Sequence, residues 1–155
     1  MKIKRVSYYE KIANSKALDC FMFSLVHPNI DAVKNVLDND GEFLGKDKIM
    51  FLGKMNSFFY KLKNENIVNV SINRGICLDK MAGSDVLEIR YATSFSFFDE
   101  FDNNPNELGD AKHEDEIVVR FSVSLLHGKV VRIGSARKYR KTENCQTDNL
   151  MLNLN

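Results

Sequence analysis

Two features of the 155-residue sequence predict an α+β domain in which N-terminal helices cover one face of a curved antiparallel sheet. Up to Asn64 the apolar residues recur every three or four positions, which is the helical period. After Asn66 they alternate, the period of strands with one face on a core and one in water. Such a chain is about one domain long, and it contains no internal repeat or linker. A single domain over residues 1–141 and a polar tail over 142–155 are expected.

Residues 7–26 read as the first helix, with Ile12, Leu18, Phe21, Met22 and Leu25 at helical spacing and Asn14-Ser15 the weak point of the run. His27-Pro28-Asn29 stops it, because the residue before a proline is pushed out of the α region. A short helix over 30–37 follows, with Asn29 as its N-cap and Ile30, Val33 and Leu37 on one face. Asp38-Asn39-Asp40-Gly41 reads as a turn, and Glu42-Phe43-Leu44 has room only for a short strand. The third helix spans 46–64, its stripe formed by Ile49, Leu52, Met55, Phe59 and Leu62.

In 67–78 the apolar parity is Val68, Val70, Ile72, Ile76 and Leu78, and in 86–98 it is Leu87, Ile89, Tyr91, Phe95 and Phe97. In 116–126 it is Ile117, Val119, Phe121, Val123 and Leu125. A last strand over 129–139 sets Val131 and Ile133 against Arg132. His127-Gly128 marks a two-residue hairpin, since Gly accepts positive φ. Residues 80–84 close another hairpin, and 99–115 form a polar, acidic link. Within that link, Asp102-Asn103-Asn104-Pro105-Asn106 has part of the spacing of a calcium loop, but the Gly is misplaced and no Glu stands at the twelfth position. No metal site and no cofactor are expected.

Charge is nearly balanced, 22 Lys plus Arg against 21 Asp plus Glu, so net charge points to neither nucleic acid nor an anionic membrane as partner. Cys20, Cys77 and Cys145 form no metal spacing, and an odd number argues against a disulfide framework. The first residues carry positive charge with no apolar run behind them, unlike a secretory signal, and no stretch suits a membrane span. A reducing cytoplasm is the expected setting.

The candidate site residues each have a structural alternative. Asp38 and Asp40 could share acid and base roles or simply form a solvated turn. His27 sits between two helices and His113 in the acidic link, and no nucleophile elbow accompanies either. Tyr91 shares parity with core residues, so its hydroxyl needs a partner. Arg137 and Arg74 continue the apolar parities of their strands, and each must reach water, a carboxylate such as Asp40, or an anionic ligand. Arg137, Tyr91, Arg74 and Asp40 are the expected polar end of a pocket for a small apolar or carboxylate ligand. Cys20 and Cys77 read as inert thiols, and Phe43, Phe51, Phe58 and Phe59 as core.

The element order, together with the segment Leu37-Asp38-Asn39-Asp40-Gly41-Glu42-Phe43-Leu44-Gly45 before the long helix, resembles the nuclear transport factor 2-like superfamily over residues 17–138. That superfamily includes SnoaL-like and ketosteroid isomerase-like proteins. The resemblance implies a cone, a bent sheet wrapped around the long helix with a pocket at its open end. It implies no single activity, because members include isomerases, dehydratases, epoxide hydrolases and modules without catalysis. Aligned without gaps over 21–45, the isomerases' oxyanion-donor Tyr falls on Phe21 and their general-base Asp on Gly45. Their second oxyanion group falls near Phe121. Proton abstraction beside a carbonyl needs a base and an oxyanion donor, and these positions supply neither. A non-catalytic ligand-binding or interaction module is therefore expected, the alternative being a SnoaL-like isomerase, dehydratase or hydrolase with a different acid–base pair. A homodimer through the outer sheet face is also expected, because Glu88, Arg90, Glu116, Arg120 and Arg132 share the wet parity and related folds often pair there. In the tail, Leu150, Met151 and Leu154 would be docking anchors.

Overall fold

The computed structural model describes residues 7–64, 70–77, 85–91, 101, 117–136 and 139–141. It is α+β, with helices α1 (Tyr8–Val26), α2 (Ile30–Val36) and α3 (Lys48–Asn64). The strands are β1 (Leu37–Phe43), β2 (Val70–Cys77), β3 (Asp85–Tyr91), β4 (Ile117–Leu126), β5 (Lys129–Ser135) and β6 (Tyr139–Lys141). They form one open sheet in the order β1-β5-β4-β3-β2-β6. The sheet is mixed and not purely antiparallel, because β1 joins β5 in parallel. None of the described helices is long and apolar enough to cross a membrane. His113, Arg137, Cys145, the 102–106 run and the tail lie outside the described residues.

Ser7 caps α1, its hydroxyl accepting the Glu10 N–H at 3.1 Å. Asn14 does not break the helix. Its side chain turns outward and accepts the Gly128 N–H at 2.8 Å, so it leaves its own backbone bonds alone. The helix ends where expected, with the His27 N–H closing on Phe23 O at 2.8 Å ahead of Pro28. Asn29 caps α2 as the sequence predicts, accepting the Ala32 N–H at 3.2 Å.

The stripe of α3 differs from the predicted one. Phe51, Met55, Phe58, Phe59 and Leu62 are buried, whereas Ile49 is 82% exposed. The reading followed Ile49 because it also lies at helical spacing, yet Asp47 caps the helix immediately before it. Phe51 contacts Phe43 and Phe101, with ring centroids 5.4 and 5.5 Å apart. These rings join Leu18, Phe21, Leu25, Ile72, Leu87, Ile89, Val119, Phe121 and Val123 in one core between helices and sheet.

The strand parity holds through β2, β3 and β4, where Ile72 pairs with Ile89, Ile89 with Val119, and Leu87 with Phe121. It fails in β5. Ser124 pairs with Arg132 but Leu125 with Val130, so Val131 bulges and the buried residues become Val130 and Ile133. The predicted single strand over 129–139 is two strands, and β6 pairs with β2. The predicted 38–41 turn belongs to β1, although it leaves the ladder there, since Leu37 pairs with Val130 and Glu42 with Arg132.

The second sheet face is not the wet face expected. Asn73, Glu88 and Ser122 are buried, as are Val86, Val118 and Ala136. Beyond β5, Ala136 donates its N–H to Arg120 O at 3.3 Å and packs on Val86 on this face.

Two type I′-like turns have matching conformations. Leu44-Gly45 and His127-Gly128 each have φ of 52° then 75°. A Cβ on Gly128 would sit 3.2 Å from the Ala13 Cβ, whereas one on Gly45 meets nothing within 4 Å. Gly45→Ala therefore isolates the backbone cost, about 1–2 kcal/mol. Gly128→Ala adds crowding against α1 and is expected to cost clearly more in urea denaturation. Equal losses would contradict the close approach. In the same assay Phe51→Ala should cost about 3–5 kcal/mol and Ile49→Ala about 0.5 or less. The reverse order would restore the stripe read from the sequence.

Candidate functional site

Two of the residues expected to meet at one pocket, Asp40 and Arg74, lie far apart on the sheet. Asp40 is on β1 and Arg74 on β2, four strand spacings apart along the sheet, on the order of 19 Å. Arg74 instead reaches Asp85 at the neighbouring strand end, Nη2 to Oδ1 at 3.1 Å, with both side chains partly exposed. Tyr91 ends β3, and its side chain lies outside the described residues. β5 spans Lys129–Ser135, and Arg137 lies outside the described residues. Phe43, Phe51, Phe58 and Phe59 are all core, as expected.

A charged row crosses the second sheet face. Asn73, Glu88 and Arg120 are direct cross-strand neighbours on β2, β3 and β4. The Glu88 side chain is only 2% exposed and accepts from Arg120 Nε at 3.0 Å, Arg90 Nε at 3.4 Å and the Asn73 amide at 3.3 Å. A buried carboxylate is tolerable only when its lone pairs are taken up in this way. The charges of this row pair with one another within the chain. Arg132 and Leu126, towards the β1 end, remain exposed.

The open polar site lies elsewhere, where α2, β1, α3 and β5 meet. Because 38–41 leave the ladder, Asp38 Oδ1 folds back to accept the Asp40 N–H at 2.8 Å, an Asx turn inside a strand. Lys48, the first residue of α3, reaches into the bulge and donates to Leu37 O at 2.9 Å and Asn39 Oδ1 at 2.8 Å. Lys129, the first residue of β5, donates to Asn35 O at 2.6 Å, covering a carbonyl that α2 leaves unbonded at its C-terminal end. Lys34 joins them from α2. These residues line a cleft of about 410 Å³. Partial burial, then the ammonium groups of Lys129 and Lys34, hold Lys48 below the ordinary lysine value, with Asp38 acting the other way. Of the two singled-out residues whose side chains are described, Asp40 lines this cleft and Arg74 does not. The lysines were missed because three separate elements contribute them, and no sequence spacing joins them.

A second depression of about 360 Å³ runs between α1 and α2, lined by Cys20, Phe23, His27 and Ala32 among others. Its floor is apolar, and the Phe23 ring stacks on His27 at 4.3 Å. Among the described residues no group of His, Cys, Asp and Glu could hold a metal ion.

The two ion-pair systems should respond differently to mutation. Glu88→Ala removes the buried carboxylate shared by Arg120, 14% exposed, and the partly exposed Arg90, and is expected to cost about 3 kcal/mol in urea denaturation. Asp85→Ala removes a partly exposed pair and should cost about 1 kcal/mol or less. Similar losses at the two positions would show that Glu88 is not the buried centre of its row.

No family model, no curated protein and no solved structure matches this chain, and its functional reading rests on its own residues and geometry.

Proposed function

We propose that the chain is a non-catalytic module of the nuclear transport factor 2-like kind that holds a small ligand in an open surface cleft. One observation carries the reading: the positions where the isomerase likeness calls for acid, base and oxyanion donor are given over to structure. Phe21 and Phe121 are fully buried in the core, and Gly45 is the left-handed residue of a tight turn. None of the three can take or give a proton, and Phe21 and Phe121 could not be changed without opening the core. The order of three helices and six strands, with the long helix α3 against β1, supports the superfamily likeness and the cone it implies. The exposed free thiol of Cys20 favours a reducing setting such as the cytoplasm.

The test pairs turnover with binding. Incubation with a β,γ-unsaturated ketone, an epoxide and an ester should give rates no faster than buffer. A screen of small molecules by thermal shift should yield a ligand that raises Tm, since occupancy at a hundred times Kd stabilises by about 2.7 kcal/mol. Turnover abolished by one side-chain substitution would overturn the reading and favour a SnoaL-like enzyme.

A further inference from the structure

We propose that the cleft bounded by α2, the β1 bulge and the start of α3 is a site for a phosphate group, free or carried as a monoester on a small molecule. Lys34, Lys48 and Lys129 are the residues that hold it. This rests on the reading of the chain as a binding module, and gives that module a place and a ligand class.

Three cations from three elements converge here. Two are already oriented, Lys48 by Leu37 O and Asn39 Oδ1, Lys129 by Asn35 O, so part of the ordering cost of binding is met in the fold. Each ammonium has three N–H donors, which leaves one on Lys48 and two on Lys129 beyond these bonds. Lys34 is exposed and makes no hydrogen bond or ion pair among the described residues. The lysines also repel one another, and Lys129 and Lys34 add to the burial that lowers Lys48. A dianion between them relieves that repulsion.

The ligand class follows from donor geometry. A planar carboxylate is best matched by the fork of an arginine, and Arg74, Arg90 and Arg120 are engaged with Asp85 and Glu88. Three separate point charges suit a compact group with several oxygens facing different directions, which is phosphate. At about 410 Å³ the cleft falls in the usual range of small-molecule sites and leaves room for the rest of a monoester. Asp38 and Asp40 also line it, so three positive charges face two negative ones. Asp38 is partly spent on the Asp40 N–H, and Asp40 is the charge that opposes an anion most freely.

The full chain is titrated with inorganic phosphate by calorimetry at neutral pH, with ionic strength held constant by sodium chloride. Saturable binding is expected. Lys34→Ala and Lys129→Gln should each weaken it by about two- to fivefold, the scale of an exposed charge pair, with Tm confirming that both variants fold. Asp40→Asn should change it in the opposite direction, tightening by a similar factor. No saturation below about 10 mM, a heat reproduced by chloride alone, or affinity unmoved in all three variants would overturn the site. If phosphate fails while an uncharged molecule from the screen raises Tm, the phosphate site falls and the binding reading stands. If p-nitrophenyl phosphate is bound through the same lysines and hydrolysed, the site stands and the non-catalytic reading falls.

Discussion

The pairing of β1 with β5 is the constraint from which the open side of this protein follows. Leu37 and Glu42 must meet Val130 and Arg132, so the intervening residues of β1 are pushed out of the ladder. β5 is irregular at the same place, with Val131 bulged from its pairing with β4. The two distortions fit together only because Gly41 has no side chain. A Cβ there would strike the Phe43 ring and lie 2.7 Å from Val131 O. Backbone groups displaced in this way need partners, and Lys48 from α3 provides one at Leu37 O, while Lys129 from β5 meets Asn35 O at the C-terminal end of α2. The cleft is thus opened by strand mismatch, and part of its charge comes from lysines that satisfy backbone carbonyls beside it.

The rest of the sheet is fixed from both sides. On the helix side, Phe21, Phe51, Phe58 and Phe121 fill the core. On the other side, Glu88 is held by Arg90, Arg120 and Asn73. A slip of one residue in β3 would drive Glu88 into the apolar core and Leu87 into the charged row, so the two faces together specify the register. Packing alone sets a preference here, while the buried charge makes the alternative costly. These arginines are therefore occupied with the fold, which leaves lysines as the cations facing solvent at the cleft.

This division bears on function. A fold of this size can place reactive groups in its core only by giving up apolar volume there. Here the volume is kept, with Phe21 and Phe121 fully buried in the core. Accessible Lys34, Asp40 and Lys129 lie at the β1 end, on short segments and element termini. Those places can be charged without cost to the core.

The sequence by itself determined everything that depends on neighbours along the chain. The cap at Asn29, the stop at Pro28, the His127-Gly128 turn and the apolar parity of β2 to β4 are local patterns, and each is read from residues a few positions apart. Even the turn chemistry of 38–41 was legible, through the Asx turn of Asp38, although not its place inside a strand. What tertiary structure decided is what depends on distant partners. β1 is a strand only because β5 lies beside it, and Val130 replaces Val131 in the core only because of a bulge against β4. Glu88 is buried among Arg90, Arg120 and Asn73, two of them from neighbouring strands, whereas its alternation with Leu87 and Ile89 alone reads as solvated. Lys34, Lys48 and Lys129 became neighbours by the same long-range pairing. Periodicity records which face a side chain is on, but it carries no information about what is packed against that face.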